Sequence, residues 1–303
     1  MNSLFVTGGS GFIGQRFLRA LAGTHRAPVY CLSRSEPEMD PAIVQRDDMR
    51  LVIADLLDAA RYAPVLSECD TVVHLAGLTG KAAPAEYFRI NTEGTRVLLE
   101  ASRRAGVRRF LYVSSIAARF AAASHYYYAE SKRRAEEAVH ASGLAFTIVR
   151  PTIVVGKGGG PWENLARLTA LPLLPVLGNG TRIQPIYVDD CVAALRALVD
   201  RPSFRNETVE LGGPEITTFG WLLCEAARLR HGRRPWTVTV PVKPLVRLLA
   251  LLEGFARSRL PLSAGQLAAF LNDSTVRLAP AWETALPPMR TVSEMLRLVS
   301  DNG

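Results

Sequence analysis

The stretch Val6-Thr7-Gly8-Gly9-Ser10-Gly11-Phe12-Ile13-Gly14 limits the folds open to this chain more than any other. Leu4-Phe5-Val6 reads as a strand, and Phe12, Ile13, Phe17, Leu18 and Leu21 recur at helical spacing. A strand must therefore pass into a helix through a turn built on Gly8, Gly11 and Gly14. Gly8 allows the tight turn, Gly11 lets a pyrophosphate approach the backbone with no Cβ in the way, and Gly14 lets the helix pack on the strand. Phosphates would meet free N–H groups and the positive dipole end of that helix. The expectation is an α/β chain, a Rossmann-type doubly wound parallel sheet that holds a dinucleotide.

The next segments alternate as that fold requires. Pro28 to Leu32 reads as a second strand ending at Ser33-Arg34, where an acid would bind both ribose hydroxyls of NAD and an Arg suits a 2′-phosphate. No acid occurs between Ser33 and Glu36, which favours NADP(H), with NAD as the alternative. Arg50 to Ala54 is a third strand. Asp55-Leu56 comes next, and Asp55 either accepts from the adenine amino group or caps the next helix. Thr71 to His74 is a fourth strand running into the small-residue turn Leu75-Ala76-Gly77, and His74 reads as a core histidine with its hydrogen bonds met. A helix over about 83–105 carries Asn91, placed to bond backbone or water near the cofactor.

Arg109 to Val113 is a fifth strand whose carboxyl end carries Ser114 and Ser115, and ligands of open α/β sheets bind at such ends. Tyr126-Tyr127-Tyr128 opens a helix to about His140. Of the three, Tyr128 alone has a lysine, Lys132, four residues on and thus on the same helix face. A phenol is a poor base at neutral pH unless a cation stabilises its anion, and Lys132 beside an oxidised nicotinamide would do so. Ser115, Tyr128 and Lys132 are thus the candidate catalytic set. Ala145 to Arg150 is a sixth strand, after which the alternation lapses. We expect a helix over Trp162 to Leu171, an Asp cap near Asp189-Asp190, a helix to His231 capped by Thr217/Thr218, and short closing helices over 266–271 and 292–299. Residues 1–152 form the expected NAD(P)-binding domain and 153–303 a smaller, mainly C-terminal α/β substrate-binding part, partly interleaved with the sheet.

Composition narrows the remaining choices. With 36 Lys+Arg against 28 Asp+Glu the net charge is +8, enough to attract a phosphate-bearing cofactor, an anionic substrate or an anionic membrane surface. An Arg- and Ala-rich proteome would explain the same excess, and no block of like charges suggests nucleic acid. Cys31, Cys69, Cys191 and Cys224 lie far apart in apolar runs and read as buried free thiols of a reducing compartment. The scattered histidines indicate no metal site. Without a secretory signal or an uncharged run long enough to span a bilayer, the chain reads as cytoplasmic. Lys243 to Arg257 is strongly apolar at helical spacing with basic ends. It reads as core or partner packing, with a peripheral membrane contact as the alternative. The oligomeric state is open.

With the glycine turn, Asp55-Leu56, Leu75-Ala76-Gly77, Asn91, Ser115, Tyr128-x-x-x-Lys132 and Arg150-Pro151 in order, the whole chain resembles the extended, atypical short-chain dehydrogenase/reductases of the NAD-dependent epimerase/dehydratase superfamily. The resemblance implies that Phe12, Ile13, Asp55, Leu56, Leu75, Ala76, Gly77, Leu78, Thr79, Asn91, Ser115, Tyr128, Lys132 and Thr152 line the dinucleotide. It also implies Ser115, Tyr128 and Lys132 as the catalytic set. Arg150 to Gly156, Gly178 to Asp190 and Leu211 to Pro214 are similar to the branch holding the nucleotide-binding accessory subunit of respiratory complex I and its bacterial relatives. That branch is associated with NADPH and often lacks the tyrosine that this chain keeps, which argues against a purely structural role. Epimerases of the family carry an Asn where Ile153 stands, and dehydratases an Asp-Glu pair where Ile116-Ala117 stands. The resemblance therefore implies an NAD(P)-dependent oxidoreductase of small molecules. Its alternatives are a nucleotide-sugar epimerase with retained NAD, or a non-catalytic NADPH-binding subunit docked on a membrane or respiratory complex.

Overall fold

In a computed structural model of the chain, the described residues are 3–22, 24–25, 27–36, 40–121, 124–177, 180–256, 263–276 and 288–300. Gly178, Asn179 and Arg257, which bound or belong to segments singled out by the sequence, lie outside them. The first half runs β1 (Leu4–Thr7), α1 (Phe12–Leu21), β2 (Val29–Ser33), α2 (Pro41–Val44), β3 (Met49–Ile53), α3 (Ala59–Leu66), β4 (Thr71–His74), α4 (Pro84–Tyr87), α5 (Gly94–Arg104), β5 (Arg109–Val113), α6 (Tyr127–His140) and β6 (Ala145–Pro151). The second half adds β7 (Val154–Val155), α7 (Gly160–Leu168), β8 (Leu173–Leu177), β9 (Arg182–Ile183), β10 (Ile186–Tyr187), α8 (Val188–Val199), β11 (Glu207–Leu211), β12 (Thr217–Thr218), α9 (Phe219–His231), β13 (Trp236–Val240), α10 (Val242–Ala256), α11 (Ala264–Ala268) and a last described helix, Val292–Ser300.

Seven strands form one sheet in the order β11-β6-β5-β4-β1-β2-β3, and every pairing in it is parallel. Alternation with period two divides its side chains between two cores. Leu4, Val6, Val73 and Leu111 face α1 and α8, where Phe17, Leu18, Leu195 and Leu198 meet them. Phe5, Val72, Phe110 and Tyr112 face α3, α5 and α6 through Tyr62, Leu66, Leu98 and Val139. This is the expected doubly wound α/β sheet, widened by β11 from the second half. α8 comes from that half too. The remaining second-half elements bury a core of their own around Trp162, Leu174, Phe219, Leu222 and Met295.

Several local expectations shift. The helix expected over 83–105 is broken into α4, a π-helical stretch Phe88–Glu93 and α5. Such a bulge re-aims one side chain within a helix, and Asn91 lies within it. The helix expected from Trp162 starts at Gly160, because Pro161 is free to occupy a first-turn position that needs no N–H partner. No Asp side chain caps α8: Tyr187 is the cap residue, and Asp190 in the first turn is held by Arg290. Thr218 caps α9 by accepting from the Trp221 N–H. Cys31, Cys69 and Cys191 are buried, but Cys224 is half-buried on the edge of α9.

His74 at the end of β4 is wholly buried, with Nδ1 2.6 Å from Thr7 Oγ1 and Nε2 2.9 Å from Thr95 Oγ1. Burial, with Lys132 nearby, pushes its pKa down to about 3. The unfolded chain would titrate this group near 6.5, so between pH 6.5 and 3 it binds a proton that the folded chain refuses. We expect stability to fall with pH across that window by up to roughly 1.4 kcal/mol per pH unit from this residue. Denaturant titrations of wild type and His74→Gln at pH 7 and pH 5 check it: parallel losses in the two proteins would show that the acid sensitivity arises elsewhere.

Candidate active site

The glycine turn has the geometry its spacing demands. Gly8 adopts φ +73°, and a Cβ there would stand 2.5 Å from the backbone N of Ala76. At Gly14 a Cβ would lie 2.0 Å from the carbonyl oxygen of Gly8. The Gly11 N–H closes the turn on the same carbonyl at 3.0 Å. Gly11 is the cap residue of α1, and no side chain caps that end, so its first-turn N–H groups remain open to an anion. Gly9, not singled out in the sequence, is as constrained: a Cβ would meet Cys31 Sγ at 2.4 Å. The Phe12 ring packs against Gly156 and Gly159, where added Cβ atoms would come within 2.9 and 2.8 Å of its Cζ. Arg16 crosses the same seam, pairing with Asp189 at 3.3 Å and donating to the Lys157 carbonyl at 2.6 Å. Ile13 packs on the adjoining core.

Around this turn lie the ends of β2, β3 and β4. Ser33 donates to the Ser35 carbonyl at 2.7 Å, and Arg34 is exposed with no ion pair among the described residues. Asp55 accepts from the Leu57 N–H at 2.9 Å, a local turn bond, and does not cap α3, whose cap residue is Asp58. Leu56 is buried against Gly94. Ala76, Gly77, Leu78 and Thr79 form the turn after Leu75. Asn91 holds that turn, accepting from the Leu78 N–H at 2.7 Å and donating to the Leu78 carbonyl at 3.1 Å. Its Nδ2 also donates to Ser131 Oγ at 2.9 Å. Thr152 is buried with its hydroxyl committed to the Gln184 carbonyl.

Ser115, Tyr128 and Lys132 come from two elements. Ser115 follows β5 and accepts from the Ala117 N–H at 3.2 Å, and it stands close enough to the Tyr128 phenol to influence its pKa. Burial raises the pKa of Tyr128, the neighbouring Ser115 hydroxyl lowers it and the nearby Tyr87 raises it; the net direction is up. Lys132 is buried, and burial drives its pKa down to about 7 against the raising influence of Glu136. Its Nζ donates to the Val113 carbonyl at 2.8 Å and lies 4.4 Å from the centre of the Tyr112 ring. A Cβ on Gly77 would stand 3.6 Å from that Nζ and 3.4 Å from Asn91 Oδ1. Two groupings therefore form, Ser115 with Tyr128 and Lys132 with Asn91 and Gly77.

A small pocket beside Tyr128 is lined by Tyr87, Tyr126, Glu253, Ser263, Gly265 and Gln266. Sequence reasoning did not bring Glu253, Ser263, Gly265 and Gln266 to this site, because α10 and α11 stand more than a hundred positions from the tyrosine and no local pattern links them. α11 bears on the loop before α6: a Cβ at Gly265 would sit 2.5 Å from the His125 carbonyl. His125 itself holds φ +62°, a left-handed conformation that costs a non-glycine residue roughly 1 kcal/mol and is kept by the packing around it.

A family model described as the NAD dependent epimerase/dehydratase family matches residues 4–212. The chain is 34% identical over 255 residues to the ceramide reductase of Caulobacter vibrioides (strain NA1000 / CB15N), across 83% of this chain and 77% of that one. It is 27% identical over 267 residues to the mitochondrial NADH dehydrogenase (ubiquinone) 1 alpha subcomplex subunit 9 of Arabidopsis thaliana, across 84% of this chain and 64% of that protein. Among solved structures, the UDP-glucuronic acid 4-epimerase of Bacillus cereus in complex with UDP-glucuronic acid and NAD superposes with a TM-score of 0.72 at 18% identity. That match covers 99% of this chain and 98% of the other and speaks for the fold alone.

Proposed function

This chain belongs to the NAD dependent epimerase/dehydratase family, and from that premise we propose that it is an NADP(H)-preferring oxidoreductase acting on a carbonyl or secondary alcohol. The observation that carries the reading is the Tyr128 phenol, set beside Ser115 at the carboxyl end of the sheet and forming part of a pocket wall. The residues fit a dinucleotide: α1 begins without a side-chain cap, Gly8 and Gly14 let its start close tightly on the end of β1, Gly11 brings no Cβ to the turn, and Gly77 leaves room beside Lys132 and Asn91. When bound, the nicotinamide supplies or takes the hydride. Ser115 donates a hydrogen bond to the substrate oxygen and orients it. Tyr128, protonated at neutral pH because burial disfavours its anion, gives that oxygen its proton in the reductive direction. Lys132, with a pKa near neutrality, is the group able to offset the phenolate that remains.

The substrate class favoured is a lipid carbonyl, since a relative matched over four-fifths of the chain is named a ceramide reductase. An epimerase with retained NAD is the weaker reading: Ile153, where the resemblance places an Asn in epimerases, packs against an apolar core. The test is NADPH oxidation by the purified protein with a long-chain sphingoid ketone, alongside mass spectrometry of nucleotide released on denaturation. Stoichiometric NAD⁺ with no ketone-dependent NADPH oxidation would sink the reading.

Arg34 carries the cofactor preference. Charge-assisted pairs with phosphate contribute about 1.5–3 kcal/mol, so Arg34→Glu should weaken NADPH binding by roughly 10- to 100-fold and leave NADH equal or tighter. Fluorescence titration with the two nucleotides checks this, and an unchanged ratio would remove Arg34 from the site.

A further inference from the structure

α10 has two unlike faces. Val242 and Val246 are buried with Leu245, Leu249 and Ala250 against Ala264, Leu267 and Ala268 of α11. The opposite face presents Leu248, Leu251 and Leu252 at 52%, 71% and 41% exposure, with Lys243 and Arg247 exposed one turn apart beside them. Trp236, at 82% exposure, belongs to the same stretch of chain one strand earlier. An apolar stripe of this kind costs a water-facing protein solubility unless something covers it.

The charge around the stripe says what that cover is. From the start of α10 to the start of α11, residues 242–264, the sequence holds four Arg and Lys, namely Lys243, Arg247, Arg257 and Arg259, against a single acid, Glu253. Glu253 is half-buried, its Oε1 accepting from the Ala264 N–H at 2.5 Å, so among the described residues the outer face of α10 presents basic and apolar side chains. A second copy of the chain would bring the same positive charge against itself. An anionic bilayer meets both properties at once, with headgroup charge for the cations and the acyl boundary for the leucines. Among the described residues no helix is long and apolar enough to cross a membrane, which leaves an in-plane contact.

We propose that the outer face of α10 lies on an anionic lipid surface and holds the Tyr128 pocket at that surface. The link to the pocket is covalent and short: Glu253, in the same helix, forms part of the pocket wall together with Ser263 and Gln266 of the adjoining segment. A long-chain carbonyl substrate would then pass from the bilayer into the site without crossing water. That last consequence rests on the reductase reading; the docking itself does not.

The test is co-sedimentation of the full chain with vesicles of phosphatidylcholine, with and without phosphatidylglycerol. Binding to the anionic vesicles alone, weakening as salt is raised, is the expected result. A surface cation changes partition to an anionic membrane about fivefold, so Lys243→Glu with Arg247→Glu should lower binding by roughly 25-fold or more. Leu251→Glu should lower it by about tenfold or more, through lost apolar burial. All three positions are exposed, so melting temperature and NADPH titration should stay at wild-type values and separate lost docking from lost folding. Equal binding to both vesicle types, no binding, or binding that survives both variants would overturn the proposal. So would a wild-type dimer in light scattering that Leu251→Glu dissociates, or retention by an acidic protein surface with vesicles ignored. Vesicle binding by a wild-type protein that shows no ketone-dependent NADPH oxidation would overturn the reductase reading and leave the docking standing on its own.

Discussion

Tyr128→Phe should lower turnover roughly a thousandfold, within the range of about 10²–10⁴ that a positioned acid–base group contributes, while nucleotide binding and melting temperature stay unchanged. The removed atom is the phenol oxygen, whose pKa the neighbouring Ser115 lowers, and the ring that packs between Tyr87 and Tyr126 remains. Ser115→Ala removes only an orienting bond and should cost less. The pH profile gives a second readout. Burial holds the phenol protonated, so reduction should be supported at neutral pH and alcohol oxidation should rise as pH is raised. Steady-state kinetics in both directions decide the matter. A variant that keeps a tenth of wild-type turnover would move the proton to another donor, with Tyr126 the nearest alternative ring.

Gly14→Ala should cost about 2–4 kcal/mol of stability, in the range of overpacked backbone contacts, and abolish nucleotide binding. Its added methyl would lie 2.0 Å from a main-chain carbonyl and 2.8 Å from Gly9 Cα, neither of which can rotate aside as a side chain can. The strand end and α1 must part, and the anion site goes with them. Gly11→Ala provides the contrast: its methyl meets only the Gly8 carbonyl, at 3.2 Å, and φ there is ordinary. That variant should fold nearly as wild type yet bind nucleotide weakly, since its Cβ stands where phosphate oxygens must approach. Urea denaturation and NADPH titration on both proteins test the pair. Equal stability of Gly14→Ala and wild type would refute the packing account.

The parts of this molecule written locally were legible before any coordinates. A glycine spacing between a strand and a helix has one economical geometry, and Gly8 with φ +73° adopts it. Strand identities from β1 to β6 come from apolar runs bounded by turns. The features hidden from the sequence were long-range. Nothing near Phe12 says that its ring will lie under Gly156 and Gly159. Nothing near Asp190 says that Arg290, a hundred positions on, will hold it in place of a capping role. The helical period across 83–105 hides the π-helical stretch at Asn91, because one extra residue barely disturbs the pattern. The spacing of Tyr128 and Lys132 gave the helix face they share. It could not give the Val113 carbonyl as the partner of the ammonium, a bond set by how α6 packs on β5.

The sheet edge has a consequence for anyone who would cut this chain into parts. β11, residues 207–211, lies beside β6 in parallel register from Glu207 opposite Thr147 to Leu211 opposite Pro151. A fragment ending at residue 152 would expose the whole hydrogen-bonding flank of β6 and lose α8 from the face of α1, leaving an adhesive edge above a half-covered core. The family match stops at residue 212, one position past β11. A transplant between relatives should therefore break there, carrying the sheet whole and exchanging only the residues beyond Gly212.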